Sequence, residues 1–338
     1  MGDLKLGLQL GYWTKGCPGN SQAELAIEAE RLGFDSVWTG ESWGSDVFTP
    51  LAWIGAQTER IRLGTSVVQM SARTPTATAM HALTLDYLSG GRMILGLGVS
   101  GPQVVEGWYG QAFSKPLART REYVDIIRQV LRREGPVSCD GEHYPLPYRG
   151  DNGWGMGKPL RTNTAVLRPE LPIFIGAEGP KNVTQTVEIA DGWLPLYYSP
   201  YRESVYKDQL KNASNDFEIT AMAMVNVDDN VQQALAPVKG MLGFYVGGMG
   251  SKKRNFHKEL MARMGFEEEA NRIQELFLQG DREAAIAAVP DAFADEISLS
   301  GPLPRIAEKI QDWKRSRVTT LNIFGDKQLL RAMAEMVL

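Results

Sequence analysis

The chain predicts an α/β fold, and specifically a (β/α)8 barrel. Three observations carry this. The first is a run of short apolar strands without polar alternation, as strands covered on both faces require. The second is a helix pattern between successive strands, which implies parallel pairing. The third is that strand after strand ends in glycine and polar residues, as barrels do at the end that carries their loops. At 338 residues the length suits one barrel with insertions, and two ordinary domains would fit as well.

The clearest unit runs from Ile61 to Glu106. Ile61 to Gln69 and Met93 to Val99 read as buried strands. Between them Thr74 is placed to cap a helix opened by Pro75, with an apolar stripe through Met80, Leu83 and Leu88 and a stop at Gly90-Gly91.

Before this unit, Leu4 to Gln9 is a first strand, Ser21 with Glu24 forms a capping-box pattern for a helix ended by Gly33, and Asp35 to Thr39 is a second strand. After it comes an amphipathic helix from about Leu117 to Arg133. Val137 to Tyr144, with Asp140-Gly141, has the pattern of a small hairpin. The Pro- and Gly-rich stretch from Pro145 to Pro172 is long for a barrel loop, which suits a lid.

Leu171 to Gly176, Gly192 to Leu196, Ile219 to Val227 and Thr320 to Phe324 read as the remaining strands. Helices are expected from Pro180 to Ala190, from Gly301-Pro302 to Trp313, and from the cap Asp326 to Val337. The charged, helical stretch from Met249 to Glu296 reads as an insertion before the last strand. Residues 1–338 are thus expected to be one barrel domain with insertions at about 137–171 and 249–296.

Apolar residues make up 43% and charged residues 22%, near globular averages, and the net charge of -4 argues against a nucleic-acid partner. Cys17 and Cys139 show no metal-ligand or disulfide spacing, so no metal is expected. The N-terminal MGDLKLGLQLGYW lacks the pattern of a signal peptide and no apolar run suits a membrane span, so a soluble, cytoplasmic protein is expected.

Five ordered blocks point further: VWTGESWGSDVFTPLAW (Val37 to Trp53), RLGTSVVQMSARTP (Arg62 to Pro75), LSGGRMILGLGVSGPQVVEGWYG (Leu88 to Gly110), PLARTREYVDI (Pro116 to Ile126), and IGAEGPKNV with ADGWLP (Ile175 to Val183 and Ala190 to Pro195). In these blocks the chain resembles the bacterial luciferase-like superfamily, in its deazaflavin branch that uses coenzyme F420. The resemblance implies a TIM barrel of that type, with the deazaflavin at the C-terminal ends of the strands.

The cofactor-binding positions implied are Thr39 and Gly40, Ser66, Val67 and Gln69, then Gly98, Val99, Ser100 and Gln103, and finally Gly176, Ala177, Glu178, Gly179, Lys181 and Asn182. A non-prolyl cis peptide at Ser66-Val67 is implied as a bulge under the ring system, against the plain reading of a continuous strand. Glycines allow close backbone approach, and the helix opened by Pro180 offers free N–H groups, with Lys181 beside them, to an anionic tail.

The resembling sugar-phosphate dehydrogenases carry Asp-His after the second strand and a catalytic glutamate after the fourth. This chain has Gly40-Glu41 and Pro102-Gln103 there, which speaks against that sugar-phosphate reaction. Glu41 is either an acid or base for hydride transfer or a structural carboxylate, and Trp43 either walls the substrate pocket or packs on the rim. Asp46 stands near the same mouth, and His81 reads as structural.

The function implied is an F420-dependent oxidoreductase moving a hydride between C5 of the deazaflavin and a small organic substrate. The alternatives are a two-component FMN-dependent monooxygenase and a non-catalytic F420 carrier. Pairing as a homodimer through the helices after the second and third strands is also implied, with Leu51, Trp53, Ile54, Ala79 and Leu83 as the apolar face, although core packing accounts for the same residues.

Overall fold

The first four strands of the barrel are short and almost wholly buried. They are β1 (Lys5–Gln9), β2 (Ser36–Thr39), a third staff split into β3 (Arg62–Thr65) and β4 (Val68–Gln69), and β5 (Met93–Gly98). The computed structural model describes residues 3–250 and 254–338. Residues 1–2, in the N-terminal segment read for a signal peptide, and residues 251–253, in the expected insertion, lie outside it.

The remaining strands are β6 (Ile173–Gly176), β7 (Gly192–Leu194), β8 (Glu218–Val227), β9 (Ser298–Gly301) and β10 (Thr320–Ile323). All pair in parallel, and β10 bonds both β1 and β8, with Leu6 opposite Leu321 and Thr220 opposite Thr320, so the sheet closes into a barrel of eight staves. β9 is an addition not expected from the sequence. It pairs only with the upper half of β8, from Met224 to Val227.

Helices α1 (Ser21–Arg31), α2 (Phe48–Gly55) and α3 (Pro75–Leu88) follow the first three staves. α4 (Pro102–Gly107) and α5 (Pro116–Arg132) follow β5, and α6 (Pro180–Ile189) follows β6. After β8 come α7 (Val231–Gly248), α8 (Phe256–Arg263), α9 (Glu267–Leu278), α10 (Arg282–Ala287) and α11 (Asp291–Glu296); α12 (Leu303–Arg315) and α13 (Lys327–Val337) complete the ring. Among the described residues no helix is long and apolar enough to cross a membrane.

Thr74 caps α3 through a bond from the Ala77 N–H, and Asp326 caps α13 through the Leu329 N–H. The capping box at Ser21 is absent. Asn20 holds the cap position, Ser21 opens the helix, and its hydroxyl donates to the Pro18 carbonyl instead. The expected α3 stripe is also only partly internal, because Leu83 is buried while Met80 and Leu88 face outward. Val137 to Tyr144 is no regular hairpin: its neighbourhood shows two isolated bridges, Val137 to Leu160 and Cys139 to Leu146, within a segment free of helix and strand.

Of the five residues expected on an apolar pairing face, Leu51, Ile54, Ala79 and Leu83 are core and only Trp53 is exposed. Helical periodicity alone does not tell the inward face of α2 and α3 from the outward one when both are apolar.

Trp38 fills the barrel interior with Ile94, Phe174 and Leu194. Its ring dictates glycine at position 64, where a Cβ would lie 2.2 Å from Trp38 Cε3. One layer away Gly96 faces the Thr65 carbonyl, and a Cβ there would fall 1.8 Å from the oxygen. Backbone cannot yield as a flexible side chain does, so Gly96→Ala should destabilise the fold by about 3 kcal/mol or more, at the upper end of overpacking costs. Urea unfolding followed by circular dichroism measures this, and a variant of wild-type stability would show that β3 and β5 are not held this close.

Candidate active site

At the C-terminal ends of the strands, the loop after β2 and the loop after β4 are tied by one buried cluster. The Glu41 carboxylate accepts hydrogen bonds from the Gln69 backbone N–H at 2.8 Å and from Arg73 Nη1 at 2.9 Å, and its other oxygen lies 2.6 Å from Arg73 Nη2. Arg73 Nη2 also binds Asp46 at 2.6 Å, and the guanidinium stands 5.4 Å from the centre of the Phe48 ring. Tyr123 donates to the Arg73 carbonyl, which fixes the backbone carrying that cation.

Burial pushes the Asp46 carboxyl up, but hydrogen bonds from Thr49 and the charge of Arg73 outweigh it and hold the group below its ordinary value. Thr39 is buried, with its hydroxyl donated to the Val47 carbonyl, so its side chain is spent on shaping the β2 loop. Ser42 has a left-handed backbone, φ 47°, and its carbonyl accepts from the Tyr109 hydroxyl at 2.6 Å. Trp43 is about half exposed on the rim beside it.

The Ser66-Val67 peptide bond is cis, as the resemblance implied, and it is the break between β3 and β4. Val67 packs toward the barrel axis, where a Cβ on Gly98 would lie 2.3 Å from Val67 Cγ2 and one on Gly176 would lie 3.3 Å from Cγ1. These two glycines leave room for a side chain from a neighbouring stave. Beyond Gly98, Val99 is half-buried and Ser100 is left-handed at φ 60°, and Gln103, inside α4, is exposed.

Two staves further round, the loop after β6 runs through Ala177, buried, and Glu178, half-buried, to Gly179, which precedes α6 without any side chain capping the helix. Lys181 is exposed on the first turn of that helix. Glu178 Oε1 lies 3.2 Å from His257 Nδ1, and Arg263 Nη2 donates to the Glu178 carbonyl at 2.8 Å. His257 is flanked edge-on by Tyr197 and Tyr245, at ring distances of 5.9 and 5.1 Å. Burial, with Glu178 nearby, raises the hydroxyls of Tyr197 and Tyr245 above their ordinary values.

The sequence reading missed four of these groups, Tyr197, Tyr245, His257 and Arg263. The last three lie in α7 and α8, where no motif marks them, and only tertiary docking brings them to the barrel. His81, read as structural, stacks on Phe48 at 5.0 Å and bonds the Ala77 carbonyl.

Several buried polar atoms at this end have no hydrogen-bond partner: Gln69 Oε1 and Ser71 Oγ at β4, and Glu178 Oε2, Asn182 Oδ1, Tyr197 Oη and Arg263 Nε around β6. Buried polar atoms are nearly always paired, so a ring of orphans around a glycine-lined mouth fits a polar ligand between them. A cleft of about 530 Å³, lined by Trp13, Asn20, Asp46, Trp53 and their neighbours, opens between the β1 loop, α1, the β2 loop and α2.

Removing Arg73 would leave two carboxylates, one of them buried, without their cation. Arg73→Met should therefore cost about 3–5 kcal/mol, and pairing it with Glu41→Gln should recover part of that loss. Thermal and urea unfolding of the single and double variants test this; equal stability of Arg73→Met and the wild type would refute the coupling.

The luciferase-like monooxygenase family model matches residues 10–320. A Mycobacterium tuberculosis protein, provisionally named a coenzyme F420-dependent oxidoreductase, is 49% identical over 99% of both chains. The 5,10-methylenetetrahydromethanopterin reductase of Archaeoglobus fulgidus is 30% identical over 86% of this chain and 85% of its own. Among solved structures, the coenzyme F420-dependent tetrahydromethanopterin reductase of Methanopyrus kandleri superposes with a TM-score of 0.78 at 22% identity, covering 99% of each chain. That likeness shows the barrel alone, while the sequence matches show more: the chain is an oxidoreductase of the luciferase-like family, in the branch that holds the mycobacterial relative.

Proposed function

We propose that this protein is a coenzyme F420-dependent oxidoreductase that moves a hydride between C5 of the deazaflavin and a small organic substrate. The observation that carries the reading is the ring of unpartnered buried polar atoms around the glycine-lined mouth, with Gln69 and Ser71 on one side and Glu178 and Asn182 on the other. The name of the mycobacterial relative supports F420 as the cofactor.

In this reading Ser66 and Val67 form the floor under the ring system, and Gly98 to Ser100 and Gly176 to Gly179 bring backbone close to it. Gln69 and Gln103 offer amides at its edge. The uncapped start of α6, with Lys181 and Asn182, receives the phosphate and anionic tail, because free N–H groups at a helix start favour negative charge. The deazaflavin, when bound, supplies two-electron hydride chemistry without oxygen activation.

Glu41 organises the mouth. Its carboxylate is taken up by three N–H donors, and through them it holds Gln69 and Arg73 in place. Trp43 forms the outer wall of the substrate side. The small-molecule substrate is admitted between the β2 loop and the segment from Pro145 to Pro172.

Titration of the purified protein with F420 and, separately, with FMN tests the cofactor. Tight F420 binding with negligible FMN binding is expected. The reverse preference would replace the reading with an FMN-dependent monooxygenase, and F420 binding without turnover on any substrate would favour a carrier.

The same reading includes a homodimer through the outer faces of α2 and α3, where Trp53, Met80, Tyr87 and Leu88 are exposed. Sedimentation should give twice the mass of 37.4 kDa, and Trp53→Asp should shift the protein toward monomer. A monomeric wild type at micromolar concentration would remove the dimer.

A further inference from the structure

Tyr12 lies just past the end of β1, in the loop Gly11-Tyr12-Trp13, and reaches across to the loop after β2. Its ring lies on Gly44, where a Cβ would fall 2.5 Å from Tyr12 Cε1. Its hydroxyl goes further inward. The point where a Cβ of Gly40 would stand is 3.4 Å from the Tyr12 hydroxyl and also 3.4 Å from the Ser66 carbonyl oxygen. The phenol therefore ends beside Gly40, at van der Waals distance from where a side chain there would begin, on the side of the Ser66 carbonyl.

Other side chains at this place are already committed. The Glu41 carboxylate carries its three N–H donors, and Thr39 has given its hydroxyl to the Val47 carbonyl. Tyr109 has given its own to the Ser42 carbonyl. The Tyr12 hydroxyl is hydrogen-bonded to the Ser42 side chain, and at 48% exposure its ring keeps one edge in water.

We propose that the Tyr12 hydroxyl is the proton donor to the substrate, which meets it at Gly40 as a ketone or aldehyde, or as the alcohol in the reverse direction. The proposal rests on the F420 reading above. Hydride from C5 of the reduced deazaflavin, with its electron pair, would add to the carbonyl carbon while the coenzyme's ring N–H proton is released to solvent. The π pair of the C=O bond moves to oxygen, which takes the phenolic proton as the Tyr12 O–H bond breaks. Water at the exposed edge returns a proton to the phenolate.

The ionisable groups around Tyr12 suit this role. Burial raises the phenol, the Ser42 hydrogen bond opposes that, and Tyr245 and Glu41 raise it further. Tyr109, which also senses Tyr12, is itself raised by burial, and Arg73 neutralises the Glu41 charge. Tyr12 thus keeps its proton throughout the neutral range, as a donor to a developing alkoxide must.

The test uses wild-type protein labelled with tyrosine carrying carbon-13 at Cζ, with the Tyr12 signal assigned by its loss in Tyr12→Phe. Addition of oxidised F420 should move that signal and its alkaline titration. Tyr12→Phe should leave the F420 dissociation constant essentially unchanged. It should also slow hydride transfer from reduced F420 to acetone, cyclohexanone and benzaldehyde by about 100-fold or more, and remove the alkaline limb of the rate profile.

If F420 binds and the Tyr12 signal stays still, or if Tyr12→Phe transfers hydride at the wild-type rate, the assignment is overturned. If the wild type reduces none of the three carbonyl probes, the carbonyl class is overturned. Failure of the wild type to bind F420 is a different result and overturns the cofactor reading together with this one.

Discussion

The mouth of this barrel depends on the space that Val67 occupies. The side chain comes from the third stave and sits against the ends of β5 and β6, where the glycines at 98 and 176 leave room for it. A consequence is that two successive staves end in bare backbone at the level where a ligand would lie. Contacts there are made by peptide groups, whose positions are set by the sheet ladder rather than by rotamers. Beneath them Trp38, Ile94, Phe174 and Leu194 plug the interior, so the floor is closed to water from below.

The charged groups around that floor tie separate loops together. Glu41 and Asp46 share Arg73, and Glu178 stands beside His257 while its backbone is held by Arg263. Burying such pairs is of little net benefit to stability, because desolvation offsets the attraction, yet breaking one is expensive. Their effect here is to fix loops from distant parts of the chain: β2 to β4 in one case, β6 to α8 in the other. Beside these groups stand four phenols, Tyr12, Tyr109, Tyr197 and Tyr245, all held above their ordinary values and therefore neutral near pH 7.

The staves were legible in the sequence because both of their faces are covered, which removes polar alternation and leaves short apolar runs such as Met93 to Val99. β9 was not, since Ser-Leu-Ser-Gly carries no such run and pairs along only half of β8. Helix ends were read well where a side chain makes the cap, as at Thr74 and Asp326. They were misread at Ser21, where Asn20 takes the cap position without a side-chain bond. The broken third stave came only from the resemblance, since nothing in the composition of Ile61 to Gln69 distinguishes it from a continuous strand. Arg73 lies inside a quoted block, but its meaning is visible only once Glu41 and Asp46 converge on it. His257 and Arg263 have no local signature, because their role is made by a helix docking from far along the chain.

These differences in legibility follow a division of labour in the molecule. The parts that recur as motifs are strand ends, where the barrel itself fixes the geometry and the chemistry is backbone. The parts without motifs are the irregular segment between α5 and β6 and the helices α8 to α11, and they approach the mouth from outside. Tyr144 of the first stands over Arg119 beside Ser71, and His257 of the second stands over Glu178. A ligand held by the strand ends would therefore meet a fixed surface on one side and a replaceable one on the other. The floor is independent of those outer segments, because its contacts, from Val67 to the two glycines, involve none of their residues.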